Sequence, residues 1–592
     1  MSDLRRLRRL LPYLRRDRRR LVTALTLLVP LAAAGAVQPL LVGQVVTVLR
    51  GENAWSWLQT MPTTQAIHCL IGLMFGAVLL RLMLQGSQTF LVQSLGQRLT
   101  ARLRVDLFRH ALDLSLRFHD RTPVGKLLTR LTSDVDALAE VFGSGAIGVL
   151  ADLVTLVVIA SLMLSIEWRL GLLLLALQLP LTLTVIVLQQ RYRRSNYRVR
   201  EELSQLNADL QENLQGLEVV QMFRRERHNS EHFGQTSSRY RQAVNGTIFY
   251  DSTISALLEW VALAAVALVL AVGGSLVTAG AMGLGVLTTF ILYSQRLFDP
   301  LRQLAERFTQ IQGGLTAVER IGELLDEPQD IVERAQPQPL PLHLGRRQGE
   351  VVFEDVCFAY RPDEPILQHL NLRISPGEHV ALVGPTGSGK STVIRLLCRL
   401  YEPQQGRILL DGVDIRDLSI STLRERLGVV LQDTFLFSGS VADNLMLDRK
   451  RPRAELERLT QELGLTPLME RLPQGLDTPL RERGGNLSSG ERQLLSVARV
   501  ALRDPAVLVM DEATAFMDPS TEATLQHDLD RLLTQRTAIV IAHRLATVEA
   551  SDRICVLKRG TLVEQGTHQE LRRLGGLYAQ LAELQERGLA SL

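Results

Sequence analysis

From Leu21 to Leu49 the chain carries no charged residue, and neither does the stretch from Asn53 to Leu80. A third uncharged stretch runs from Trp260 to Gln295. A helix that crosses a bilayer needs about 20 predominantly apolar residues. The first two runs therefore predict one span each. The third is long enough for two, with the turn between Gly273-Gly274 and Gly285. Phe142 to Ile166, broken only by Asp152, and Gly171 to Gln190 add two more, for six in all. Pro30 and Pro39 interrupt the first run, which membrane helices tolerate when neighbours satisfy the freed backbone groups. The intervening segments 98–141 and 191–253 are long and mostly helical in pattern. Pro and Gly break the first within Phe118 to Gly125; Gln211 to Arg227 mixes apolar and charged positions in the second.

The pattern changes after Ala335-Gln336-Pro337-Gln338-Pro339-Leu340-Pro341, which reads as an extended linker. Beyond it, short β-rich runs alternate with helices, an α/β signature. The expected fold is an α-helical six-span transmembrane domain followed by an α/β P-loop NTPase domain. The expected bounds are an amphipathic interfacial helix over 1–20, the transmembrane domain over 21–325, a linker over 326–348, the nucleotide-binding domain over 349–585 and a tail over 586–592.

Charge separates the same two parts. Residues 1–340 hold 35 basic and 28 acidic side chains, and the remainder 31 and 34. Nine Arg precede the first apolar run, and 98–141 and 191–253 are Arg-rich, whereas the other connections are short and nearly neutral. Positive charge stays on the cytoplasmic side, so both termini and both long loops are expected there. The Arg-rich start has three readings: a transit peptide, a nucleic-acid arm or an amphipathic helix on the membrane face. Its Leu and Arg spacing favours the last. No cleavable signal is expected. Arg81, Asp152 and Glu259 sit in or near apolar runs, where a charge usually faces a cavity or a partner. The alternative is that they lie near helix ends. Cys69, Cys357, Cys398 and Cys555 are far apart and lack metal-ligand spacing, which argues against disulfides and a zinc site.

The chemistry lies in the second half. The strand-like run His379 to Val383 leads into Gly384-Pro385-Thr386-Gly387-Ser388-Gly389-Lys390-Ser391-Thr392 and then a helix. This is a phosphate-binding loop in its required strand–loop–helix context. Glycines let backbone N–H groups close around phosphates, and a helix N-terminus favours anions. Lys390 is placed at the β and γ phosphates and Ser391 on Mg²⁺. A second apolar strand, Ala506 to Met510, delivers Asp511 to the metal and Glu512 to the attacking water as general base. His543 follows a third strand, Ile539 to Ala542. It either contacts the γ-phosphate or is structural.

With Leu487-Ser488-Ser489-Gly490-Glu491 some 20 residues before Asp511, these residues together resemble an ABC transporter over essentially the whole chain. One transmembrane domain ahead of one ATP-binding domain with a helical subdomain resembles the exporter half-transporters. Gly485 to Ser488 and Gln493-Leu494-Leu495 resemble the multidrug-resistance-like group. The resemblance implies that Tyr360 stacks on adenine and that Gln432 contacts Mg²⁺ and faces the membrane part. It also implies that Asp518 signals to the opposite subunit, that His543 is the switch histidine and that Glu512 is the catalytic glutamate. The Leu487–Glu491 stretch becomes the signature that binds ATP from a second chain. Phe118 to Asp136 and Gln211 to Glu226 resemble the two cytoplasmic coupling loops. Ser489 and Glu491 depart from the usual Gly and Gln, and the added charge of Glu491 is expected to weaken ATP capture slightly.

What this implies is an ATP hydrolase coupled to transport, with ATP and Mg²⁺ as cofactors. It would work as a pair of half-transporters, a heterodimer slightly favoured over a homodimer. The expected activity is export of an amphipathic small molecule, drug or lipid across the cytoplasmic membrane by alternating access. The partners are membrane lipid and that substrate, without nucleic acid. An ATP-gated channel or regulatory subunit, and a peptide exporter or lipid flippase, are the alternatives. A peptide exporter with its own N-terminal protease domain is excluded by the short segment before the first span.

Overall fold

The computed structural model describes residues 11–52, 54–341, 348–432, 434–447, 451–511, 533, 536–541 and 545–589. The chain divides into two compact units. The first comprises residues 1–112 and 124–327, the second 113–123 and 328–592.

The first unit is built of six long helices: α1 (Leu28–Arg50), α2 (Thr63–Asp113), α3 (Ile147–Ile166), α4 (Trp168–Gln215), α5 (Glu226–Thr278) and α6 (Leu284–Leu325). Among the described residues, five helical stretches that include α1 to α5 are long and apolar enough to cross a membrane. At about 1.5 Å per residue, α2, α4 and α5 are each more than twice as long as a hydrocarbon layer of ~30 Å is thick. They therefore carry the polar halves of their sequences well past it. Those polar parts hold each other by hydrogen bonds rather than by apolar burial. Thr236 donates to Asp209 at 2.7 Å, Asn229 to Asn213 at 2.7 Å and Thr247 to Ser195 at 3.1 Å, all between α5 and α4.

The turn after α5 falls at 279–283, within the expected interval from Gly273-Gly274 to Gly285, and Gly280 there takes a φ of +69°. Gly273 lies inside α5 because the helices come close there; a Cβ at that position would sit 2.5 Å from Leu287 Cδ1. The second span begins at Thr63, after a separate short helix Ser56–Gln59. The third is preceded by a π-helical turn, Val141–Ala146, that holds Gly143 and Gly145. Where lipid offers no competing hydrogen bonds, small residues let helices approach. Gly43 of α1 and Gly285 of α6 do this: a Cβ on either would overlap the other's carbonyl and a neighbouring threonine hydroxyl, Thr289 or Thr47.

The second unit contains two main sheets and, among the described residues, a two-stranded one that pairs β7 (Gly439–Ser440) with β8 (Pro479–Leu480). One is four-stranded and antiparallel, in the order β2-β1-β4-β5, from β1 (Val351–Arg361), β2 (Glu364–Ile374), β4 (Gln405–Leu410) and β5 (Val413–Asp414). The other, in the order β12-β11-β3-β10-β9-β6, uses β3 (His379–Val383), β6 (Leu427–Val430), β9 (Val507–Asp511), β10 (Thr537–Ile541), β11 (Arg553–Lys558) and β12 (Thr561–Gly566). Its central strands pair in parallel and are apolar at nearly every position because both faces are covered. Leu508 and Met510 of β9 join one apolar cluster, Val507 and Val509 the other, as period-two alternation requires. Two cysteines are core side chains of this unit. Burial pushes the Cys398 thiol up to about 12 and that of Cys555 to about 11.

The expected linker does not hang free. The buried Arg399 donates to the Val332 carbonyl at 3.1 Å, the Ile420 amide donates to Glu333 at 2.6 Å, and Arg334 pairs with Asp417 at 2.7 Å. Residues 328–338 thus run along the second unit as part of it.

Gly43→Val should destabilise the first unit by about 1–3 kcal/mol through overpacking. A thermal melt of the detergent-solubilised protein checks this; an unchanged midpoint would mean that α1 and α6 do not approach as described.

Candidate functional site

Parallel pairing lines up the ends of four strands. Leu382 of β3 lies level with Ile541 of β10, Ile541 with Asp511 of β9, and Val430 of β6 with Met510. Neighbouring strands are about 4.8 Å apart. The ends of β3, β10, β9 and β6 therefore lie side by side at the carboxyl edge, where open α/β sheets bind ligands. That edge carries Asp511 and leads into the Gly384–Lys390 loop and Gln432, so signals from distant stretches of sequence meet there. Asp511 is half-buried at its strand end and Gln432 is exposed. Glu512, Asp518 and His543 lie outside the described residues.

The phosphate loop has the shape its composition demands. Gly384, Gly387 and Gly389 all have positive φ. Gly389 also has a packing reason to lack a side chain, since a Cβ there would lie 2.7 Å from Leu367 Cδ2. Helix α7 (Lys390–Leu397) starts straight from Gly389 without a side-chain cap, which leaves its first amides open to an anion. Lys390 turns back over the loop and donates to the Gly384 carbonyl at 2.7 Å and to Pro385 at 3.1 Å. The Ser388 hydroxyl is buried and has no hydrogen-bond partner among the described residues. A glycine cradle, an open helix start, a folded-back ammonium and an orphan hydroxyl together fit a polyphosphate. Ser391, exposed at the second position of the helix, and Asp511 are oxygen donors of the kind that hold Mg²⁺ beside such phosphates.

Tyr360 belongs to a cluster. Its ring stands edge-on to Phe358 at 4.9 Å and to Tyr401 at 5.1 Å, with the Arg395 guanidinium 5.9 Å from its centroid. Its hydroxyl shares a hydrogen bond of 3.2 Å with Thr392 in the first turn of α7. The aromatic expected at adenine is therefore tied directly to the phosphate loop. The same cluster receives a short helix from the first half of the sequence, Leu116–Arg121, which the expected bounds put in the membrane domain. Contacts place it with the second unit. Tyr401 donates to Asp120, Arg121 donates to the Tyr360 carbonyl at 3.4 Å, Ser115 donates to Asp330 at 2.9 Å, and Leu116 packs on the sheet core. Burial and then the Asp120 carboxylate push the Tyr401 hydroxyl above its ordinary pKa, so it stays a donor at any physiological pH.

Leu487 to Glu491 open helix α8 (Ser489–Ala501). Ser488 is the N-cap of a capping box: its hydroxyl accepts from the Glu491 amide at 3.3 Å, and Glu491 accepts from the Ser488 amide at 2.7 Å. Glu491 also pairs with Arg471. Glu491 is thus engaged by the chain's own helix start and by a neighbouring cation. Leu487, Leu494 and Leu495 join one apolar cluster, whereas Val393, Leu396 and Leu397 of α7 join the other.

Residues that the motifs did not single out link the parts. Buried Gln493 of α8 accepts from Thr434 at 2.8 Å and donates to the Leu431 carbonyl at 3.3 Å, clasping the loop that carries Gln432. Arg499, one turn and a half further on, donates to the Phe435 and Asn444 carbonyls. A polar Gln in an otherwise apolar helix face was the available signal for the first. Nothing in the linear sequence marks Tyr401 as the partner of Asp120, which lies 281 positions away in the Phe118–Asp136 stretch.

Comparisons with known proteins complete the site. Residues 21–301 match the family model of the ABC transporter transmembrane region, and residues 367–515 the model named ABC transporter. The chain belongs to the ABC transporter family. A probable multidrug resistance ABC transporter ATP-binding/permease protein, YheH of Bacillus subtilis, is 36% identical over 89% of this chain and 78% of its own. The multidrug efflux ATP-binding/permease protein Rv0194 of Mycobacterium tuberculosis is 35% identical over 97% of this chain, which spans only 47% of that protein. A bacterial Atm1-family ABC exporter solved with ATP bound superposes with a TM-score of 0.75 at 27% identity, covering 96% of this chain and 98% of its own. This ABC transporter is accordingly an ATP-hydrolysing exporter and an integral membrane protein, with its transmembrane region ahead of its ATPase region.

Gln493→Leu keeps the volume but leaves the Thr434 hydroxyl and the Leu431 carbonyl unpaired. About 1–3 kcal/mol of stability should be lost, and ATPase activity should fall because the Gln432 loop is no longer held to the signature helix. A melt and a steady-state ATPase assay on the same preparation test both; a variant with full turnover would show the clasp to be dispensable.

Proposed function

We propose that this ABC exporter moves an amphipathic small molecule, drug or lipid across the bacterial plasma membrane by alternating access, driven by ATP. One chain supplies Gly384–Thr392 and Tyr360; a second half-transporter supplies its signature stretch across the nucleotide. The mycobacterial relative, of which this chain matches one half, supports this pairing. A heterodimer is the favoured pair. The observation that carries the proposal is the phosphate-loop edge in the same chain as a bundle of long apolar helices.

Lys390 and the open amides of α7 hold the β and γ phosphates. Ser391, Asp511 and Gln432 hold Mg²⁺, which neutralises phosphate charge when bound. Glu512 orients and deprotonates the attacking water, and His543 contacts the γ-phosphate. Asp518 reports to the other subunit. Catalysis of this kind is positioning and electrostatics. A ligand shifts a two-state equilibrium only by its differential affinity; moving it from 1:99 to 99:1 takes about 5.5 kcal/mol. ATP bridging two ATPase units supplies such a difference. The helix Leu116–Arg121 is covalently continuous with α2 and bonded to the adenine-side aromatics, and it is the segment through which closure reaches the membrane helices.

Lys390→Ala should lower ATP turnover on the order of 10²-fold and abolish transport in lipid vesicles. Glu512→Gln should retain ATP binding and stall both. ATPase activity that survived Lys390→Ala, or wild-type hydrolysis without movement of any lipid, drug or peptide, would overturn the proposal.

A further inference from the structure

Helix α1 is long enough to cross a bilayer without help. Its 23 residues span about 34 Å, against a hydrocarbon layer of ~30 Å. Arg50, its last residue, marks one surface. The helix before it, Arg18–Thr26, then falls at headgroup depth on the other. That short helix is fixed on one side. Ala24 packs with Val92 and Leu95 of α2 and with Ile147 of α3, and Leu21 and Leu25 lie against them. On the other side Val22 is exposed, as is Val29 two turns further along the chain.

The start of this helix is rich in donors and poor in acceptors. Arg15, Arg18 and Arg19 are exposed, and their guanidiniums make no ion pair or hydrogen bond among the described residues. Arg20 is half-buried, and its Nη1 is buried with no hydrogen-bond partner among the described residues. Two carboxylates lie close by, and both are engaged. Asp17 sits at the N-cap, where such a group ordinarily accepts from the first-turn amides, yet it makes no capping bond. Arg102 of α2 holds it at 2.5 Å, and Arg98 approaches to 4.0 Å. Asp106 of α2 accepts from Tyr13. The carboxylates are thus turned toward α2 and the N-terminal tyrosine. Four arginines within six positions are left facing an acceptor that the protein does not supply, and the uncapped helix start adds its positive end to theirs.

We propose that Arg15, Arg18, Arg19 and Arg20 form a docking surface for the headgroup of an anionic phospholipid. Guanidinium forks match phosphate oxygens in pairs. Arginines beside a spanning helix attract anionic lipid. A lipid is the occupant because the cations lie at headgroup depth and the exposed Val22 and Val29 continue from them, as an acyl chain would. A zwitterionic lipid would bring its own cation against the arginines. This inference holds whatever molecule the exporter carries.

The test uses the full-length protein in phosphatidylcholine nanodiscs that contain a minor fraction of phosphatidylglycerol, with the lipids that stay bound counted by native mass spectrometry. Phosphatidylglycerol should be enriched on the order of 10-fold over its share of the bilayer. Arg18→Gln combined with Arg19→Gln should remove most of that enrichment, and Lys at both positions should retain most of it. Arg191→Gln with Arg194→Gln, an equally exposed pair on α4, should leave it unchanged. An equal loss in that pair would mean diffuse attraction to positive charge and would overturn the site. So would equal retention of the two lipids by the wild type, or enrichment that survives in the Arg18/Arg19 glutamine variant. Displacement of the lipid by millimolar inorganic phosphate would assign the arginines to a soluble anion and refute the lipid. If a melt shows that the double variant is unfolded, Arg15→Gln alone carries the test: enrichment should fall several-fold, and an unchanged value refutes the site.

Discussion

The in-register parallel pairing of β3, β10, β9 and β6 is the constraint on which the chemistry depends. The phosphate loop, Asp511 and the Gln432 loop come from distant stretches of sequence, and no local motif could bring them together. They meet because each lies at or beyond the end of a buried strand held level with its neighbour by backbone hydrogen bonds. Each face packs into its own apolar cluster, so a shift by one residue would exchange the side chains of the two faces and misfit both. The sheet thus converts hydrophobic burial into the placement of charged and polar groups at its edge.

What attaches to that edge is nearly all polar, and it runs in two directions. On one side, Thr392 binds Tyr360, Tyr360 packs on Tyr401, and Tyr401 donates to Asp120 on the helix that continues α2. On the other, Gln493 holds the segment around Gln432 to the helix that opens with the signature. Hydrogen bonds suit such links better than apolar contacts do. They are directional, so a shift of the phosphate loop is felt as a broken or strained bond and not as a tolerated slide, and leaving one partner unpaired is costly.

Much of this was legible before any coordinates. Lipid forces a length and an absence of charge on a spanning helix, and the six long helices follow the uncharged runs. The glycines at 384, 387 and 389 announce backbone that only glycine adopts readily. The turn at 279–283 lies within the interval that Gly273-Gly274 and Gly285 marked, while Gly273 itself packs inside α5, where a glycine that permits close approach looks, in sequence, like one that ends a helix. The break from Phe118 to Gly125 was legible as a coupling loop, but its partners in the ATPase unit, Tyr401 and Tyr360, were not. The capping box and Arg471 that engage Glu491 depend on a helix start and a neighbour that linear order does not show.

A proline in a spanning helix leaves the carbonyl four positions back without its helical donor. For Pro39 that carbonyl belongs to Gly35, and Arg296 of α6 donates to it. The same guanidinium reaches Gln38, where Arg81 of α2 also donates, so the repair ties three helices together at one turn of α1. The neighbouring carbonyls of Ala36 and Pro39 accept from Tyr293 and Thr289 as well. A gap in one helix's own ladder thus becomes a polar joint between helices, in a medium that offers no water to compete for it.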